Sequence, residues 1–160
     1  MCLPLLCLDI DGVYAIILRM VDRIVVDTSV FIAALIGTKG PNREILRRCL
    51  DKQYQPLLGN ALFSEYADVA TRTDILDRCP VSAEDIQTLL EAYCSVCDWV
   101  PIYYLWRPNL TDEGDNHLLE LAAAGNAKWI VTNNIRDFRN AELNFPEIEI
   151  LSPEQILEVC

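Results

Sequence analysis

The feature that most constrains the fold is a short apolar run that ends in a carboxylate. Ile24, Val25 and Val26 are β-branched and are followed directly by Asp27 and then by a second apolar segment. Such a run indicates a strand that is buried on both faces, as in a parallel sheet. Asp27 is therefore predicted at the carboxyl end of a central strand, where open α/β sheets bind their ligands. The alternative is an aspartate that only ends a strand and begins a helix.

Short apolar runs alternate with helical patterns along the rest of the chain, which predicts βαβ units. Strands are predicted at 24–26, 55–58, 99–104, 129–131 and 147–151. Helices are predicted after Thr28 or Ser29 to residue 36, at 41–52, 60–71, from 82 onward, from 111 or 112 to 124, and from 153 onward. The predicted N-terminal caps are Thr28 or Ser29, Asn60, and a capping box from Ser82 to Asp85. Gly125 is predicted to end the helix that precedes it. The predicted fold is a single three-layer α/β/α sandwich with a mostly parallel central sheet.

The net charge and the cysteine content of the chain indicate what kind of protein it is. The chain has 160 residues and a net charge of −11, from 24 acids and 13 bases, which argues against a general nucleic-acid coat protein. Seven cysteines with irregular spacing, of which only Cys94 and Cys97 resemble a metal or redox pair, indicate reduced thiols and a cytoplasmic location.

The first residues are treated separately from the domain. Residues 1–19 are apolar but interrupted by Asp9, Asp11 and Gly12, and no positive region precedes them. They fit neither a signal peptide nor a membrane span. Because Met20 directly precedes the first strand, residues 1–19 are predicted to be an N-terminal extension, of the kind that an upstream translation start would add, and 20–160 the folded domain.

Further acids are predicted to reach the sheet edge that carries Asp27. They are Glu65 beside the apolar stripe of the third helix, Asp112 and Asp115 at a helix start, and Asp137 shortly after Thr132 and Asn134, which end a strand. Crowded carboxylates without nearby bases repel one another unless they are protonated or bind a cation. Carboxylate ligands without histidine or cysteine favour Mg²⁺ or Mn²⁺. The single histidine, His117, is interpreted as incidental to this site.

These motifs resemble a known family. Asp-Thr-Ser after a buried strand, a helical Glu, Asp-x-x-Asp-Asn at a helix start and Val-Thr-Asn-Asn-x-x-Asp-Phe are similar to the PIN-domain nucleases. The resemblance is greater to the VapC-like toxins of bacterial toxin–antitoxin pairs, and it extends from about residue 23 to residue 159.

The resemblance implies a PIN-like fold and an Mg²⁺- or Mn²⁺-dependent endoribonuclease. It implies Asp27, Glu65 and Asp115 as the catalytic acids and metal ligands. Ser29, Thr132, Asp112 and Asn134 would support the site, and Arg136 and Arg139 would contact substrate phosphate. The family often has its fourth acid where this chain has Asn134, so Asp137 is implied as its substitute, and the choice between one and two metal ions stays open. RNA, an antitoxin protein and a second copy in a homodimer are the implied partners, with no membrane contact.

Two other functions are compatible with parts of the sequence. Leu-Asp-Ile-Asp-Gly-Val at 8–13 is similar to the nucleophile motif of haloacid-dehalogenase-type phosphatases, with Asp9 as nucleophile and Asp11 as acid/base. However, Val-Thr-Asn-Asn at 131–134, which is similar to the second motif of that family, lies much farther from Asp9 than the second motif normally does. A non-catalytic PIN-like interaction module is the second alternative, and Asn134 in place of an acid is the observation that favours it.

Overall fold

A computed structural model describes residues 21–105, 110, 113–138 and 145–159. The predicted N-terminal extension, with Asp9 and Asp11, lies outside the described residues, and so does the predicted domain start at Met20. Among the described residues, no helix is long and apolar enough to cross a membrane.

The described strands form one parallel sheet of five strands in the order β3-β2-β1-β4-β5. They are β1 Arg23–Val26, β2 Gln55–Leu58, β3 Asp98–Trp99, β4 Trp129–Val131 and β5 Glu149–Leu151. The chain runs outward from β1 through β2 to β3 and then returns to the other side of β1 as β4. The direction of winding therefore reverses between β1 and β4, which is where α/β sheets open a ligand crevice.

Seven α-helices are present in the described part of the chain. They are α1 Thr28–Ile36, α2 Pro41–Leu50, α3 Asn60–Val69, α4 Thr73–Leu76, α5 Ala83–Val96, α6 Asn116–Ala124 and α7 Pro153–Val159. Single turns of 3₁₀ helix lie at Glu113–Asp115 and Ile135–Phe138. The helices and the parallel sheet form the predicted α/β/α sandwich.

The two central strands are the most buried part of the sheet. Ile24, Val25 and Val26 of β1 are fully buried, and so are Ile130 and Val131 of β4. Strands that are covered by helices on both faces must be apolar on both faces, which is why these runs show no alternation. Because β1 and β4 are adjacent and parallel, the polar residues that follow the two strands lie at the same edge of the sheet.

Several predicted bounds differ from the structure: the last strand begins at Glu149, the helix predicted from 111 or 112 begins at Asn116, and α2 and α3 each end two residues early. Three further features are wrong in detail. The strand predicted at 99–104 ends at Trp99, because the Val100 N–H makes the last ladder bond, to the Leu58 carbonyl oxygen, and Pro101 has no N–H to continue it. Helix α1 is capped by Asp27 without a side-chain hydrogen bond, so neither Thr28 nor Ser29 is its cap.

The third error concerns Asn60, which is the first residue of α3 and not its cap; Gly59 precedes the helix in an extended conformation. The capping box that opens α5 is confirmed, since the Ser82 hydroxyl accepts from the Asp85 N–H at 3.1 Å and Asp85 accepts from the Ser82 N–H at 3.2 Å. Gly125 ends α6, as predicted.

Candidate functional site

Asp27 lies at the junction of β1 and α1, beside the end of β4. Its N–H donates to the Val131 carbonyl oxygen at 2.9 Å, and its own carbonyl oxygen accepts from Val30 at 3.0 Å and Phe31 at 3.2 Å. The backbone is thus fixed on the strand side and on the helix side. The residue is only 7% exposed, so its carboxylate must be satisfied by neighbouring groups.

Two hydroxyl groups hold the Asp27 carboxylate. Ser29 Oγ and Thr132 Oγ1 each donate to Asp27 Oδ2 at 2.6 Å. Hydrogen bonds to an ionised acceptor are shorter and stronger than neutral ones, and these two fix the orientation of the carboxylate. No described residue donates to Oδ1, which keeps one oxygen of the buried carboxylate available to a ligand. The predicted supporting residues Ser29 and Thr132 are therefore in contact with Asp27.

The loop after β4 is tied to the start of α1. The Asn134 N–H donates to Thr132 Oγ1 at 2.9 Å, and the Asn133 N–H donates to Ser29 Oγ at 3.2 Å. Asn133 Nδ2 also donates to the Ser29 carbonyl oxygen at 3.1 Å and to Asn42 Oδ1 at 3.0 Å. This network places the backbone of Asn134 next to the Asp27 site, while its side chain is exposed.

Glu65 is held between α1 and α6. Thr28 Oγ1 donates to Glu65 Oε2 at 2.5 Å, and His117 Nε2 lies 3.4 Å from Glu65 Oε1. Thr28 directly follows Asp27, and His117 is two residues after Asp115. The two residues that contact Glu65 are therefore close in sequence to the other two predicted acids. The Glu65 side chain is 42% exposed, which leaves its carboxylate open to solvent and ligands.

His117 belongs to this site, although the sequence patterns predicted no role for it. It is buried, and its Nδ1 lies 2.6 Å from the Gly114 carbonyl oxygen, so Nδ1 must carry the proton. Its Nε2 faces Glu65 without hydrogen-bond geometry and has no hydrogen-bond partner among the described residues. No local pattern could have revealed this contact, because it depends on the packing of α3 against α6.

The remaining predicted residues lie in two short turns. Asp115 ends the 3₁₀ turn before α6, and Asp137 and Arg136 lie in the turn after β4. The Asp137 N–H donates to the Asn134 carbonyl oxygen at 3.1 Å, and a shallow cavity of about 480 Å³ is lined by this turn. Asp112 and Arg139 lie outside the described residues, so their predicted roles stay predictions.

The acids do not form a closed cluster. Within the described ranges, no three histidine, cysteine, aspartate or glutamate side chains lie together as a ready metal-binding group. Asp27 and Glu65 are instead turned toward hydroxyl groups, and no lysine or arginine of the described residues forms an ion pair with either. Carboxylate oxygens that are not paired with bases are a donor set that fits Mg²⁺ or Mn²⁺.

An aromatic group supports the strand that leads to Asp27. The Tyr66 hydroxyl donates to the Val26 carbonyl oxygen, and its ring stacks on Phe31 with centroids 4.4 Å apart. Burial raises the pKa of Tyr66 well above its usual value, so the hydroxyl stays a donor. Tyr66 was predicted only as part of the apolar stripe of α3, but it also holds the backbone one residue before Asp27.

Comparisons with known proteins agree with this architecture. No curated protein is significantly similar to the chain in sequence. Among solved structures, one chain of the crystal structure of VapBC2 from Rickettsia felis bound to a DNA fragment from their promoter is similar in fold, with a TM-score of 0.55. The match covers 81% of this chain and 98% of that chain, at 15% sequence identity, which supports the fold alone.

A sequence-family model gives the family directly. The model of the PIN domain matches residues 23–136, which is more than half of the chain and contains Asp27, Glu65, Asp115 and Asn134. The same range contains the strands β1, β2 and β4 and the helices α1, α3 and α6. The chain belongs to the PIN domain family.

Proposed function

We propose that this protein is a metal-dependent ribonuclease that hydrolyses RNA phosphodiester bonds. The observation that carries the proposal is the buried carboxylate of Asp27, which two hydroxyl groups hold by a single oxygen at the β1–β4 crevice. Such an arrangement orients the other oxygen without neutralising the charge. Membership of the PIN domain family and the neighbouring Glu65 support a nuclease over a phosphatase of the haloacid-dehalogenase type.

The donor set supports a magnesium or manganese ion as cofactor. Asp27, Glu65 and Asp115 would hold it, with Asp137 as the candidate fourth acid in place of Asn134. When bound, such an ion supplies a polarised phosphate oxygen and a water of lowered pKa. Asp27 is fixed by Ser29 and Thr132, so its charge does not have to be reoriented on ion binding.

The other residues of the site have roles in positioning and substrate contact. Thr28 holds Glu65 in place from the first turn of α1. Arg136 is exposed and lies in the same turn as Asp137, where a guanidinium suits a substrate phosphate. His117 is not assigned a role as general base, because its side chain is buried and its Nδ1 donates to the Gly114 carbonyl oxygen.

We also infer a biological setting from the structural relative. That relative is VapBC2 bound to a DNA fragment from its promoter, and a toxin–antitoxin role for this chain follows by analogy. The partners proposed are an antitoxin protein and a second copy of the chain, in a cytoplasmic setting. RNA as the substrate class rests on the resemblance of the sequence motifs to the VapC-like toxins.

The first experiment is Mg²⁺ and Mn²⁺ binding by calorimetry. The variants are Asp27→Asn and, as a matched control, Asp74→Asn on the exposed first turn of α4. We expect wild type and Asp74→Asn to bind the ion and Asp27→Asn to lose it. RNA and single-stranded DNA are then compared as substrates with the metal and with EDTA. Unchanged RNA cleavage by Asp27→Asn would overturn the catalytic assignment.

A second experiment tests the fourth acid position. Asn134→Asp places a carboxylate beside Thr132, and we expect tighter metal binding and faster cleavage if the acids share one ion. Asp137→Asn should weaken binding in the wild-type background if Asp137 is the substitute. No metal binding by wild type and no gain in Asn134→Asp would favour the interaction-module alternative. Phosphatase activity that depends on Asp9 would favour the other alternative.

A further inference from the structure

A cavity of about 370 Å³ lies between the start of α3, the edge strand β3 and α6. Its lining is mixed: an aromatic and aliphatic part and three polar side chains. The lining residues are Asn60, Ala61, Trp99, Val100, Pro101, Ile102, Leu105, His117 and Glu120. A mostly apolar cleft of this size with a few convergent polar groups is typical of a small-ligand site. None of the described residues that line it is lysine or arginine, so it suits an uncharged ring better than a phosphate.

His117 connects this cavity to the candidate acids. The residue lines the cavity, and its Nε2 lies 3.4 Å from Glu65 Oε1. Because Nδ1 donates to Gly114, Nε2 of the neutral ring is a hydrogen-bond acceptor, and it is buried without a hydrogen-bond partner among the described residues. A buried acceptor without a donor is costly, and a ligand that brings an N–H group would remove this cost.

The indole ring of Trp99 forms one side of the cavity. Trp99 is the last residue of the edge strand β3 and is 52% exposed. Its ring packs against Phe63, with centroids 5.4 Å apart and planes inclined by 57°, and it also lines the cavity. A large exposed aromatic side chain at the mouth of a cleft is a platform on which a nucleobase can stack.

We propose that this cavity binds one nucleobase of the RNA substrate, stacked on Trp99, with its donor groups directed to His117 and Glu120. The proposal rests on the proposed function, because the cavity adjoins the candidate acids through His117, whose Nε2 lies 3.4 Å from Glu65 Oε1. Glu120 also lines the cavity and is a buried residue, and an ionised carboxylate can accept hydrogen bonds from more than one donor. Guanine carries adjacent N1–H and N2–H donors on one edge and is the base that this set of acceptors fits best.

The test uses mononucleotides without metal, so that binding is separate from catalysis. Quenching of tryptophan fluorescence is titrated with GMP, AMP, CMP and UMP in EDTA. The variants are Trp99→Ala, Trp99→Phe and, as an aromatic control, Tyr103→Ala, which is exposed and does not line the cavity. We expect GMP to bind most tightly and Trp99→Ala to bind it roughly 5- to 150-fold more weakly, since stacking contributes about 1–3 kcal/mol per base. Because Trp99→Phe and Trp99→Ala lack this reporter, their affinities are measured by calorimetry.

A second variant tests hydrogen bonding independently of folding. Glu120→Gln replaces one acceptor by a donor, so the ratio of GMP to AMP affinity should fall, whereas simple destabilisation would weaken both nucleotides equally. Failure of wild type to bind any mononucleotide, or equal affinities in wild type and Trp99→Ala, would overturn the base-binding site. Metal-dependent RNA cleavage with no nucleotide binding would retain the nuclease and reject this cavity. Nucleotide binding without cleavage would retain the cavity and reject the nuclease.

Discussion

Replacing Thr132 by valine tests the arrangement that holds Asp27. Valine keeps the β-branched shape at the end of β4 but removes the hydroxyl that donates to Asp27 Oδ2 at 2.6 Å. The same hydroxyl oxygen accepts the Asn134 N–H at 2.9 Å. Thr132 is fully buried, so water cannot replace either bond without a change in packing.

The expected loss of stability follows from these two bonds. A hydrogen bond to a charged group contributes about 1.5–3 kcal/mol, and loss of an acceptor for a partly buried N–H adds up to about 1 kcal/mol. The packing change is small, because the two side chains have similar volume. We therefore expect the free energy of unfolding to fall by about 2–3 kcal/mol. For a chain of this size, that corresponds to a decrease in Tm of roughly 5–10 °C.

The assay is urea unfolding of wild type, Thr132→Val, Asp27→Asn and the double variant. In this double-mutant cycle, the coupling free energy between Thr132 and Asp27 should be about 1–2 kcal/mol. It is not larger because asparagine at position 27 still accepts a hydrogen bond, although not a charge-assisted one. Thr88→Val is the matched control: its hydroxyl donates to the Glu84 carbonyl oxygen on the exposed side of α5, and it should change stability by less than about 0.5 kcal/mol. A coupling near zero would refute the idea that Thr132 holds the Asp27 carboxylate.

Three further outcomes are expected. Ser82→Ala removes the cap of α5 and should cost about 1 kcal/mol in urea unfolding, with the lowered pKa of Asp85 rising toward its usual value in an NMR titration. Gly125→Ala places a Cβ that overlaps Leu57 Cδ1, and a loss of about 1–3 kcal/mol is expected; an unchanged Tm would contradict this. Burial raises the pKa of the Cys49 thiol from 9.0 to about 12, so only the unfolded chain ionises between these values. Wild-type stability should therefore fall across that pH range more steeply than the stability of Cys49→Ala.

The order of the elements could be predicted because apolar runs and helical stripes are local signals. The apolar runs of β1 and β4 predicted strands that are buried on both faces, as in a parallel sheet, and the apolar stripe of α3 identified its buried face. The strand at 99–104 was overpredicted because β-branched and aromatic residues favour strands whether or not a neighbour is present. Beyond Trp99, Pro101 and the end of β2 leave nothing to pair with.

Gly125 shows that a correct prediction can have a different physical basis. Glycine after a helix usually adopts a left-handed conformation, but Gly125 has φ −91° and the left-handed residue is Asn126, with φ 52°. Glycine is needed at 125 because a Cβ would meet Leu57 and come within 3.1 Å of the Leu121 carbonyl oxygen. Sequence patterns identify such a position but not the contact that makes it necessary.

Sequence patterns could predict the site residues that follow the ends of strands, but not the other contacts of the candidate site. Asp27 and Thr132 follow adjacent parallel strands, so topology alone brings them together, and the structure places a hydrogen bond between them. The contact of His117 with Glu65 depends on the relative rotation of α3 and α6, which no periodicity encodes. The cavity beside Trp99 was missed for the same reason, because its walls come from three separate segments.

The start of α1 explains how one short motif positions two acids. Thr28 and Ser29 were predicted as alternative helix caps, but neither caps the helix: Ser29 donates to Asp27 and Thr28 donates to Glu65. Successive residues in a helix are rotated by about 100°, so neighbouring hydroxyls in one turn point to different partners. The spacing between the two carboxylates is therefore set by the first turn of a helix that is fixed to β4 through the Asp27 backbone. Exchange of Thr28 for valine should release Glu65 and leave Asp27 in place, whereas exchange of Ser29 for alanine should loosen Asp27 only in part, because Thr132 Oγ1 still donates to it.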